Sequence, residues 1–161
     1  MAQLRGGSTV GGSSIISGSD MQFGELSVSS NGTPQAVTST YAKVTQFDTD
    51  GETGGSVTVS NANDQITVGK TGRYLVNFNG VVQGGGFTLE YWFQVYKNTT
   101  AITKATTHET GYSTGISIAM SICAIIDCAS SDTLEIRWKS TGADTALLAD
   151  ANFNVVKIGG Y

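Results

Sequence analysis

The sequence predicts an all-β chain of about eight to ten antiparallel strands, on three observations. Apolar residues recur at every second position over several stretches, and nothing comparable recurs at helical spacing. The charged share is only 14%, against about 25% in ordinary soluble domains. Ser, Thr, Asn and Gly therefore supply the surface polarity; they are poor helix formers, whereas Val, Ile, Thr and the aromatic residues suit a pleated, half-buried sheet. At 161 residues the chain can bury one core without metals or disulfide staples.

Taken in order, the first twenty residues contain ten Gly or Ser, with Leu4, Val10, Ile15 and Ile16 as isolated apolar residues. Such a segment builds no core of its own, so it is expected to dock on another chain or to pack back on its own domain. Phe23, Leu26 and Val28 followed by Asn31-Gly32 predict a hairpin. Tyr41 to Phe47, Val57 with Val59, and Ile66 with Val68 read as shorter strands, with Asp48-Thr49-Asp50-Gly51 as a turn. The second half alternates cleanly in Tyr74, Val76 and Phe78, and in Phe87, Leu89, Tyr91, Phe93 and Val95. It does so again in Ile116, Ile118, Met120, Ile122, Ala124 and Ile126, and in Leu134, Ile136 and Trp138. Period two means strands with one buried face. In the last stretch, Ala151 to Ile158, Phe153 and Val155 share one face while Val156 and Ile158 share the other. Both faces are then covered, which for a terminal strand predicts a neighbour such as an identical subunit. Strands of this number without helices leave a sandwich, a jelly roll or a barrel.

Charge and chemistry narrow the function. Nine basic and thirteen acidic residues give a net charge of −4 without a run of either sign, so nucleic acid, which needs clustered Lys and Arg, is not an expected partner. No stretch reaches the roughly 18 apolar residues of a membrane helix. The opening MAQLRGGSTVGGSS lacks a secretory pattern, so cytosolic synthesis is expected. Cys123 and Cys128, five positions apart on a strand, face opposite sides and read as reduced, buried thiols. The single histidine, His108, sits in a loop or short edge strand without a recognisable triad setting, so no catalytic residue is assigned. Asp48, Asp50 and Glu52 are the one close acidic set; their turn setting and missing further ligands favour solvation over a glycosidase pair or a calcium loop. Asn31-Gly32-Thr33 and Asn98-Thr99-Thr100 match the glycosylation triplet but sit where turns are expected. No cofactor and no metal is expected. Trp92 and Tyr96 alternate against Tyr91, Phe93 and Val95, and are read as a subunit interface first and a carbohydrate-stacking site second.

Three blocks carry a resemblance: Ile66-Thr-Val-Gly-Lys-Thr-Gly-Arg-Tyr-Leu-Val-Asn-Phe, Ser131-Asp-Thr-Leu-Glu-Ile-Arg-Trp-Lys, and Ala151-Asn-Phe-Asn-Val-Val-Lys-Ile-Gly. Over residues 36–161 their order and spacing resemble the tumour-necrosis-factor and complement-globular-head superfamily. The resemblance implies an antiparallel jelly-roll sandwich that forms a homotrimer, with one sheet of each subunit around the axis and the last strand near it. Its Gly/Ser-rich leader resembles those preceding such heads on tailed-phage capsids and fibres. The expectation is thus an attachment arm and lead-in over 1–35 and a trimerisation domain over 36–161. Leu4, Val10, Ile15, Ile16, Met21 and Phe23 would anchor the arm on a major capsid protein or another virion protein. Trp92, Tyr96, Phe153, Val155, Val156 and Ile158 would form the trimer interface. The expected function is non-enzymatic capsid decoration at the virion surface; a fibre head recognising a host surface glycan or protein is the alternative.

Overall fold

The structure, a computed structural model, describes residues 9–10, 13–14, 21–29, 32–84, 89–111 and 117–160. Two short strands, β1 (Thr9–Val10) and β2 (Ser13–Ser14), pair with each other. The remaining strands are β3 (Phe23–Val28), β4 (Gln35–Val37), β5 (Ala42–Lys43), β6 (Thr49–Gly54), β7 (Thr58–Ser60) and β8 (Gln65–Thr67). The longer ones follow as β9 (Gly72–Gln83), β10 (Glu90–Lys97), β11 (Thr100–Thr110), β12 (Ser117–Cys128), β13 (Thr133–Ser140) and β14 (Asp144–Gly159). They make a two-layer antiparallel sandwich. One sheet runs β12-β9-β14-β3-β6 with β4 beside β14, and the other runs β11-β10-β13-β8-β7 with β5 beside β13. Apart from the β10–β11 hairpin, the second half of the chain alternates between the layers, so β9 pairs with β12 and β14, and β10 with β13, across long stretches of sequence.

The long strands form where the alternation is strict. On β12, Met120, Ile122, Ala124, Ile126 and Cys128 point inward and their neighbours outward; on β9, Tyr74, Val76, Phe78 and Val82 do the same. Phe78 stacks on Phe93 of the facing sheet with centroids 5.1 Å apart, and Phe93 meets Trp138 at 5.6 Å, which ties the two layers at their centre. Apolar burial of this kind is the main stabilising term, about 25 cal/mol per Å².

Several expectations are corrected here. β3 and β4 do not form a hairpin; both pair with β14, and Asn31 lies outside the described residues. β3 is an inner strand between β14 and β6, so the sandwich begins by residue 23 rather than 36, and Phe23 belongs to it. Residues 49–54 form an edge strand rather than a turn. Their acidic neighbours explain why. The Asp48 carboxylate accepts from the Ser29 N–H at 2.9 Å, and that of Asp50 accepts from the Asn61 N–H at 2.6 Å, stapling β6 to the chain on both sides. Cys128 is buried as expected but Cys123 is exposed, because a strand with one covered face turns every second residue to its outer side.

Candidate functional site

The outer face of the β12-β9-β14-β3-β6 sheet carries an unusual surface. In register across four strands stand Ile125, Leu75, Val156 and Phe23, with Gly54 of β6 beyond. Strands about 4.8 Å apart make this a continuous apolar row some 15 Å long. A Cβ at Gly54 would lie 2.1 Å from the Phe23 ring, so only glycine lets that ring lie flat over β6. Met21 and Ile158 extend the row at the end where the N- and C-terminal segments meet; there the Lys157 N–H donates to the Gln22 carbonyl at 2.8 Å. The exposed large apolar residues of the described chain are Met21 (51%), Ile125 (47%), Ile158 (46%) and Val156 (36%), and all four belong to this row. Scattered exposed apolar residues are ordinary; their confinement to one sheet face is not.

Next to the apolar row lies an amide row that ends in a carboxylate, Glu25 of β3 standing opposite Asn154. Cys123, Asn77 and Asn154 are in register. Asn77 donates to Asn154 at 3.2 Å, and Asn154 donates in turn to Asn152. Beyond them Gly80, Val81 and Ala119 floor a depression of about 440 Å³. Charges stand at the margin: Arg73 and Asp127 pair at 3.4 Å, both well exposed. An apolar strip beside hydrogen-bonded amides, with the charges of Glu25, Arg73 and Asp127 toward the edges, matches the anatomy of a protein interface.

The opposite face, on the outside of the β11-β10-β13-β8-β7 sheet, is built differently. Trp92 of β10 faces His108 on β11 and Lys139 on β13. Its ring stacks on His108 with centroids 5.7 Å apart, and the Lys139 ammonium lies 4.6 Å over the same ring. That ammonium is also 5.1 Å from the Tyr41 ring, while the Arg137 guanidinium sits 4.3 Å over Tyr96. Glu135, almost fully buried, binds Lys43 at 2.8 Å and Arg137 at 2.5 Å. Burial pushes the Tyr41 hydroxyl above its ordinary range, against a hydrogen bond with Thr106. Rings and cations thus alternate in a locked ladder.

The site residues predicted from sequence divide accordingly. Phe153 and Val155 are fully buried in the chain's own core, so they are corrected from interface to core residues; Val156 and Ile158 do face out. Trp92 and Tyr96, both half-buried, lie on the outside of the other sheet and share no surface with Val156. Met21 and Phe23 join the apolar row rather than a separate arm. Val10 lies in β1, and Leu4, Ile15 and Ile16 lie outside the described residues. Leu75 and Ile125 were missed. Their signal was present, because Tyr74-Leu75-Val76 and Ile125-Ile126 break the alternation just as Val155-Val156 does. His108 has no hydrogen bond to a hydroxyl or carboxylate among the described residues, which also hold no cluster of three metal-ligating side chains.

No family model and no curated protein matches the chain. Solved structures do. The Eiger tumour necrosis factor of S. frugiperda aligns with a TM-score of 0.61 over 88% of this chain and 93% of that one, at 12% identity. The globular domain of the zebrafish complement 1qA protein aligns with a TM-score of 0.60 over 85% of this chain and 97% of that one, at 13% identity. The fold is a TNF- and complement-head-like jelly roll. At this identity the likeness establishes architecture and leaves function to the residues.

Proposed function

We propose that the chain is a non-enzymatic, self-trimerising module whose β12-β9-β14-β3-β6 face packs around a threefold axis. The observation that carries this is the registered row Ile125-Leu75-Val156-Phe23 with Met21 and Ile158 at its end. An apolar row half exposed on a single chain is favourable only when covered, and a threefold ring lets each copy both offer and receive the same surface. The jelly-roll likeness supports this reading, because domains of this fold commonly trimerise. In the same reading the Gly/Ser-rich N-terminal segment is a hook, and the assembly is a decoration protein of a virion shell. Three weak hooks on one rigid trimer gain avidity of roughly a hundredfold or more. β3 starts at the end of the sandwich that holds Met21 and Ile158, so three hooks would leave from one pole.

Cys123 tests the packing without any mutation. It stands in the amide row one step from the apolar row, and Cys128 is buried. In the assembled protein a thiol reagent is expected to find neither cysteine until denaturant is added, and two per chain afterwards. One fast-reacting thiol per chain at high protein concentration would contradict the covered face. Removal of residues 1–20 is expected to leave the trimer intact and abolish attachment to shells; normal shell binding by the shortened chain would show that this segment is not the hook.

A further inference from the structure

The ladder on the opposite sheet holds a cation with no anion. Lys43 and Arg137 share the carboxylate of Glu135. Lys139, half-buried beside them, has no carboxylate within ion-pair distance among the described residues; it touches only the Trp92 and Tyr41 rings, at 4.6 and 5.1 Å. Three cations therefore meet one carboxylate in this cluster, on a chain whose net charge is −4. A partner that reads this patch is anionic.

The ring geometry says more. The carbohydrate-stacking reading of Trp92 requires an open ring face, yet Lys139 lies over that ring and His108 stacks on it. A sugar cannot lie on Trp92 without displacing one of them. What the ladder offers instead is an ammonium pinned on one flank of the Trp92 ring and an exposed imidazole stacked on the same ring from the neighbouring strand. Because packing holds Lys139, little side-chain freedom is lost when it binds. The open pleat of this sheet face suits an extended ligand lying across strands rather than an engulfed small molecule.

We infer that Lys139, held between Trp92 and Tyr41, with His108 stacked on the same Trp92 ring, is the primary contact for a carboxylated sugar of an acidic glycan. The ammonium meets the carboxylate, and ring edges and imidazole meet the sugar's C–H and hydroxyl groups. The site is on the sheet opposite the apolar row, so it does not depend on self-association, and in a trimer it would be displayed three times.

Trp92 reports on the site directly, since the other tryptophan, Trp138, is fully buried. Tryptophan fluorescence and calorimetry would be followed while oligogalacturonate, a neutral dextran oligomer, sulfated dextran or hexaglutamate is added to the full chain. The expected result is a fluorescence change and measurable heat with oligogalacturonate and none with neutral dextran. Lys139→Met, which keeps the apolar stem on the rings, should weaken binding by about tenfold or more, and Lys104→Met on the edge strand should not. Trp92→Phe should lose the optical signal while calorimetry still detects binding. The proposal is overturned if Lys139→Met binds like the parent, if neutral dextran binds equally, or if hexaglutamate or sulfated dextran binds as tightly as the carboxylated sugar.

Discussion

Thr99 and Asp64 show how single positions hold this sandwich together at some cost. Asn98 and Thr99 form the two-residue turn between β10 and β11, with φ of 46° and 68°. Both are left-handed, as the tight hairpin twist requires, but a β-branched residue is strained there. Asn98 is retained by its side chain, which donates to Asp132 at 2.6 Å and accepts from the Thr133 N–H at 2.8 Å. Thr99→Gly is therefore expected to raise stability by about 1 kcal/mol, measured by urea unfolding; a loss would show that the threonine makes a compensating contact. Asp64 is buried with a left-handed backbone, and its carboxylate accepts from the Phe47 N–H at 3.2 Å. Burial pushes its carboxyl up to about 6 from 3.8, with the Phe47 hydrogen bond and Lys43 opposing. The folded state then holds a proton that the unfolded chain has released, so this contribution is complete below pH 3.8 and is lost as pH rises through about 6, after which stability is flat. Asp64→Asn keeps the acceptor and tolerates the left-handed backbone. It should melt higher than the parent at pH 7.5 and match it near pH 4; an equal offset at both would show that the carboxyl titrates normally.

At the scale of elements, what the sequence revealed depended on whether a strand keeps its phase. β9, β10, β12 and β13 bury every second residue almost throughout, and were legible from alternation alone. β14 was recognised only from Ala151 because a bulge between Leu148 and Asp150 shifts its register against β9. Ala146 and Leu148 point inward before it and Ala151, Phe153 and Val155 after it, so no single period runs through the strand. β11 was hidden for a different reason: as an edge strand it buries little besides Ala105. β6 was hidden by Asp and Gly, which ordinarily signal turns, and forms because neighbouring N–H groups hold Asp48 and Asp50. The candidate face was half legible. Val156 and Ile158 announced it, but Leu75 and Ile125 joined it only once β9 was placed between β12 and β14, a pairing between strands some 50 to 80 residues apart that local pattern does not carry. The division of β14 into two faces can be tested within that element. Phe153→Ala should cost about 3–5 kcal/mol, whereas Val156→Ala should leave the unfolding of the dissociated chain within about 1 kcal/mol of the parent; similar losses at both would mean that the faces are misassigned.

At the scale of the molecule, the two sheet faces make opposite demands. One is an apolar row beside neutral amides, stabilised when another surface removes it from water; the other is a ladder of rings and cations satisfied within its own chain except at Lys139. A lone subunit would leave the first face wet, and a trimer built on the second would leave it wet still. On the proposed reading, copies of this chain meet through the Ile125-Leu75-Val156-Phe23 row. Sedimentation equilibrium of the full chain and of Ile125→Glu, run side by side, tests it most directly. The parent is expected at three times the 16.8 kDa chain mass. The variant, forced to bury a charge, should lose at least about a hundredfold in association, equivalent to about 2.7 kcal/mol, and move toward a single chain mass with its β spectrum unchanged. A parent that sediments as one subunit, or an Ile125→Glu protein that stays trimeric, would contradict it.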